Sequence, residues 1–175
     1  MKKRGQIWIE TVVYTLIALI MIGAVLAFAR PKIQEMQDKI IIDQTIEALE
    51  EIDSTLTSIT NGAAGTQEII NIEIKKGELK IIPSTEEIIF TLKESKSTYS
   101  EPGKEVSIGK ILIKTEQTGK TNTIILKLQY ASVYDLIYDT TANQGIFGKS
   151  PSPYKLILKN SGRNGNQISV TITNG

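Results

Sequence analysis

The chain of 175 residues contains no cysteine and no histidine. Those absences remove disulfides, thiolate nucleophiles, imidazole general bases and any zinc site built on Cys or His. A fold made without cysteine is held by core packing alone, a condition that either side of a membrane satisfies. Aromatic residues are scarce at 6%, with one tryptophan, so most apolar burial has to come from aliphatic side chains. A large charge of one sign is missing too: the net charge is +1, and nothing in the bulk electrostatics points to nucleic acid as a partner. There is no P-loop, no dinucleotide fingerprint and no Gly-x-Ser-x-Gly elbow. No Asn-x-Ser/Thr sequon occurs either. The expectation is a protein that is not an enzyme, with no catalytic residue, cofactor or metal. Its length suits one globular domain with an appendage.

The appendage is at the amino terminus. Lys2, Lys3 and Arg4 precede Gly5 and Gln6, and one carboxylate, Glu10, follows. From Thr11 to Ala29 the chain is uncharged and mostly apolar, ending at Arg30. At a rise of about 1.5 Å per residue that run crosses a hydrocarbon layer of about 30 Å. The stronger basic flank lies before it, which places the amino terminus in the cytoplasm and the remainder outside. Trp8 suits an interfacial anchor.

Three readings compete for this segment: an uncleaved signal anchor, a secretory signal cut after Ala27-Phe28-Ala29, and a leader cut before the apolar run. The A-x-A pattern favours the second, but the run exceeds the about 7–15 residues of a signal-peptide core. For the third, Lys3-Arg4-Gly5-Gln6 with Glu10 resembles the class III signal peptide of archaeal type IV pilins and their relatives. The resemblance implies that a prepilin peptidase cuts between Gly5 and Gln6 and that the helix stays on the mature protein. It also implies that Glu10 becomes the assembly charge, paired with the new terminal amine of a neighbouring subunit. Tyr14 departs from the pattern, since many members carry leucine there. A carboxylate inside a bilayer helix costs about 2.5–3.5 kcal/mol on insertion scales, so a paired role fits the physics. A carboxylate this close to the interface also has the option of reaching out to water.

Helical spacing continues beyond the apolar run. Pro31 either kinks one helix or opens a second. Ile33, Met36 and Ile40, then Ile42, Ile46, Leu49, Ile52, Leu56 and Ile59, recur at helical intervals, ending at Asn61-Gly62. The later part of this stripe is expected to cover the head, and the earlier part to pack on helices of other subunits.

After Gly62-Ala-Ala-Gly65 the periodicity becomes alternating, as in Ile70, Ile72 and Ile74, or Ile124, Leu126 and Leu128. About seven such runs, with turn signals at Lys76-Gly77, around Gly119 and at Asn160 to Gly165, predict an antiparallel β-sandwich. Gly109 is read as a bulge. The expected fold is α+β: a leader over 1–5, a long helix over 6–61 and a β-sandwich head over 62–175. The resemblance implies an immunoglobulin-like head, other pilin subunits and the membrane as partners, and a surface filament after assembly. Tyr130, Tyr134 and Tyr138, with Phe147 beyond them, are either a recognition surface or a cap on the core. Asp135 and Asp139 make a poor cation cage by themselves.

Overall fold

The computed structural model describes residues 3–139 and 144–175, with side chains from residue 8 onward. A single helix of 59 residues, α1 (Lys3–Asn61), occupies the first third and continues through Pro31. Gly23 and Pro31 are the sole residues of poor helix propensity between Gln6 and Asn61, and length offsets both. The helix stops at Gly62, whose N–H donates to the Ile59 carbonyl at 3.2 Å. The Asn160 amide, arriving from the sheet, donates to Ile59 O (3.0 Å) and Gly62 O (3.2 Å). Carbonyls at a buried helix end need such partners.

Ten strands follow: β1 (Gln67–Ile72), β2 (Glu78–Ile82), β3 (Glu87–Ser95), β4 (Glu105–Ile108), β5 (Ile111–Thr118), β6 (Thr121–Gln129), β7 (Tyr134–Tyr138), β8 (Gly145–Phe147), β9 (Tyr154–Asn164) and β10 (Gln167–Asn174). They form a four-stranded sheet, β1-β9-β10-β7, and a six-stranded sheet, β4-β5-β6-β3-β2-β8. All pairings are antiparallel except β7 with β10. The fold is therefore α+β, as the periodicities predict.

Alternation sets which side chains point inward. Ile88, Phe90 and Leu92 of β3 and Ile124, Leu126 and Leu128 of β6 are buried, while their neighbours are not. Ile70, Leu156, Leu158, Val170 and Ile172 do the same for the smaller sheet. The two inner faces share one core with the helix, which touches β1, β9 and β10 of one sheet and β3 and β5 of the other. Ile42, Ile46, Leu49, Ile52, Leu56 and Ile59 are all buried there. Each contributes at most about 2–3 kcal/mol of apolar burial. The later part of the helix is thus a core element of the head.

Several details differ from the sequence reading. There are more strands than the alternation suggests, because β7 (Tyr-Asp-Leu-Ile-Tyr) interrupts it and β8, three residues long, is too short to display one. Gly109 is not a bulge: Ile108 pairs with Ile111, so Gly109 and Lys110 form a two-residue hairpin turn, with φ of +54° at the glycine. The stretch Asn160 to Gly165 is mostly strand, since β9 runs to Asn164 and only Gly165 and Asn166 turn. A register shift at Ser169/Val170 absorbs the extra residue. The turn at Gly77 needs glycine twice over: φ is +92°, and a Cβ would lie 2.5 Å from Phe90 Cζ.

Candidate functional site

The same helix presents two different surfaces. Below the head, Trp8, Tyr14 and Phe28 are 71%, 64% and 81% exposed, and the aliphatic side chains among them are exposed as well. This helix is long and apolar enough to cross a membrane, by length and composition, and none of its most apolar stretch is buried. An unburied all-round apolar helix is unfavourable in water. Its apolar faces call for lipid or for other helices.

Of the predicted leader and assembly residues, Lys3, Arg4, Gly5 and Gln6 lie in the first turns of α1, and Lys2 lies outside the described residues. Glu10 is exposed, four residues before Tyr14, and the Tyr14 hydroxyl donates to Glu10 Oε1 at 3.4 Å. That spacing puts both on one face of the helix. The departure from the pilin pattern thus supplies Glu10 with a partner inside its own chain. Beside them the Thr15 hydroxyl donates to the Thr11 carbonyl at 2.8 Å, satisfied within the helix as an apolar surrounding requires.

The head residues singled out from sequence are differently placed. Tyr130, Tyr134 and Phe147 are buried and Tyr138 is half-buried. An exposed recognition surface made of them is therefore corrected: three of the four rings face inward. Tyr130 and Tyr134 lie 5.4 Å apart between centroids, and Phe147 meets Tyr138 and Tyr154 edge-on at 6.0 and 5.0 Å. Every second residue of β7 and β8 points into the core, so Ile137 and Ile146 are the exposed members. Asp135 Oδ2 accepts from the Ser169 hydroxyl (2.8 Å) and the Asn164 amide (2.9 Å). Among the described residues no group of three or more carboxylates gathers.

Polar contacts between helix and head were less visible in the sequence. Tyr130 donates its hydroxyl to Asp53 Oδ1 at 3.1 Å, and Lys110 Nζ reaches the same oxygen at 3.0 Å. Burial first, then the Asp53 charge, pushes the Tyr130 phenol well above its ordinary range. Thr60 donates to the Tyr134 hydroxyl at 3.3 Å. At the lower rim Asp38, its side chain 5% exposed, takes Lys76 Nζ at 2.6 Å and the Lys96 N–H at 2.8 Å. Asp38 lies one turn before Ile42 on the buried face. A charge in line with the apolar stripe was the signal that could have found it.

No family model, curated protein or solved structure matches the chain.

Proposed function

We propose that the chain is a structural subunit of a type IV pilus-like surface filament. In this reading a prepilin peptidase removes residues 1–5 between Gly5 and Gln6, guided by Lys2, Lys3 and Arg4. The retained helix spans the membrane with its amino terminus cytoplasmic until assembly moves it into a filament core. There Glu10 is the assembly charge, other subunits of this kind are the partners, and the head, immunoglobulin-like in this reading, forms the outer surface. The protein works by assembly rather than catalysis, and needs no cofactor.

The observation that carries the proposal is the two-sided helix. Its carboxy-terminal part is locked into the head, while its amino-terminal part is apolar on every face and is not covered by any described residue of its own chain. Such a subunit gains by exchanging lipid for other helices, and Glu10 supplies a polar point at which that exchange is sensed.

The test is the amino-terminal sequence of the protein from native membranes or sheared surface material. A start at Gln6 is expected, with Glu10→Ala then reducing filament yield while leaving the head folded. A start at Met1 would replace the proposal with an anchored binding module, and a start at Arg30 with a secreted domain.

A further inference from the structure

The outer faces of the two sheets use their charges differently. On the six-stranded sheet three outward lysines are answered within the chain, Lys80 by Glu78 at 3.0 Å, Lys114 by Glu116 at 2.7 Å and Lys127 by Glu87 at 3.4 Å. On the four-stranded sheet, Lys155 and Lys159 of β9 alternate with the buried Leu156 and Leu158, so both point outward. Neither makes an ion pair among the described residues. Between them stands Ile157, whose cross-strand neighbours are Ile69 on β1 and Thr173 on β10. Ile69 is 51% exposed. Two unanswered cations thus flank an uncovered apolar strip.

The helix shows the opposite sign. Asp43, Glu47 and Glu51 follow at intervals of four on the side of α1 away from the core, and all three are exposed. None of them makes an ion pair among the described residues. Like charges at that spacing repel one another, so a partner that brings cations to the row stabilises it.

The two rows match in length and direction. Asp43 to Glu51 spans about 12 Å at 1.5 Å per residue of helix. Lys155 to Lys159 spans about 13 Å at 3.3 Å per residue of strand. Ser58 donates to Glu68 of β1 at 2.8 Å, and lower down Ile72 lines one small cavity with Leu49 and Ile52. β1 therefore runs alongside the helix, and β9 pairs with it over that whole length.

Within one chain the rows stand at different heights. The Asn160 amide on Ile59 O, at 3.0 Å, puts Lys159 level with the last turns of the helix, about 12 Å above Glu51. A second copy raised by that amount brings its Glu51 to Lys159 and its Asp43 to Lys155, with Glu47 between the lysines and over Ile157. We infer that the outer face of the four-stranded sheet is a docking face for a second copy of this chain, which presents the acidic row of its helix. The contact joins two unlike surfaces, so every copy has one of each to offer. The offset of about 12 Å keeps successive copies from closing into a flat ring, and the contact propagates as an open helical array. The inference rests on the filament reading and deepens it, naming the surfaces through which heads meet.

The test uses the absence of natural cysteine. Surface material is sheared from cells producing the full chain with Glu51→Cys and Lys159→Cys, both exposed positions, then oxidised and run without reductant. A ladder of dimers, trimers and larger species is expected, because each copy links to two neighbours. Chains with either cysteine alone should stay monomeric. Within one chain the two positions are too far apart for a disulfide, which needs Cα atoms within about 7 Å. In the cysteine-free chain, Lys155→Glu with Lys159→Glu should lower filament yield about tenfold or more, and adding Asp43→Lys with Glu51→Lys should restore most of it. Filaments that give no ladder, or that form at full yield with the lysines reversed, would remove the docking face and leave the filament reading standing. Dimers from a single-cysteine chain would mean a contact between like faces and would remove it as well. If no filament is recovered, the same oxidation is done on membranes: a ladder there keeps the contact without the filament, and monomers alone remove both.

Discussion

The two halves of α1 are equally helical and both rich in isoleucine and leucine, yet they solve opposite problems. Between Trp8 and Phe28 large apolar side chains occur on every face and are exposed. Between Ile42 and Ile59 they keep to one stripe, the other faces carry charge, and the stripe is buried. The first half has no covering partner among the described residues of its own chain. The second has one, and that partner is the head. Apolar content alone says that a segment will be covered; its angular spread says whether one surface can do the covering.

The strongest way to break this comparison is truncation. Removing residues 1–29 should leave a head with cooperative thermal unfolding by circular dichroism. Removing 1–61 should leave none, because the lost burial exceeds the about 5–15 kcal/mol that stabilises an ordinary domain. Single substitutions sharpen the contrast. Ile52→Ala or Leu56→Ala should cost about 2–5 kcal/mol in denaturant unfolding of the head, whereas Ile17→Ala should change it by less than about 0.5 kcal/mol. A folded head after 1–61 is removed, or equal costs at Ile17 and Ile52, would show that the helix is not divided as described.

Polar contacts should follow the same division with smaller effects. Asp38→Ala strands the Lys96 N–H and should cost about 1–3 kcal/mol, while Asp43→Ala, at an exposed position nearby, should be close to neutral. Tyr130→Phe should cost about 1 kcal/mol at neutral pH, since Asp53 keeps Lys110. Its pH dependence has a definite sign. The folded phenol holds its proton more tightly than the unfolded one, so its contribution is intact below about pH 10 and is lost as pH rises from there toward the folded value. The wild type should therefore lose stability in alkali faster than Tyr130→Phe, as equilibrium unfolding against pH would reveal.

The core half of the helix was legible because its six apolar positions keep one face, and all six are buried. Where that face begins was not. Ile33, Met36 and Ile40 have similar spacing but are exposed, because the start of contact depends on how far down the head reaches, and no local pattern encodes that. The long alternating strands β3, β5 and β6 were readable for the same reason as the stripe. β7 was not, since its pairing with β10 is parallel and joins segments distant in the chain, and such pairing leaves no local turn signal. The tyrosines illustrate a limit of composition: spacing of four suggests a face, but only the strand's period of two decides that Tyr134 points in and Ile137 out. The Asn160 clamp on the helix end was hidden in what reads as turn chemistry, because asparagine beside glycine is also what a loop would show.

One consequence follows from the absence of any linker between the unpacked and packed parts of α1. A tug on the amino-terminal end is delivered along a single hydrogen-bonded rod into the middle of the head. Between the exposed apolar run and the buried stripe, Arg30 to Gln37 is not buried by the described residues of the head, and it contains Pro31, which already lacks one rung of the helical ladder. Under tension it is the section that unwinds first, lengthening from about 1.5 to about 3.4 Å per residue. The molecule thus carries a short extensible fuse beneath a rigid cap, and the cap keeps its shape while the fuse takes up the strain.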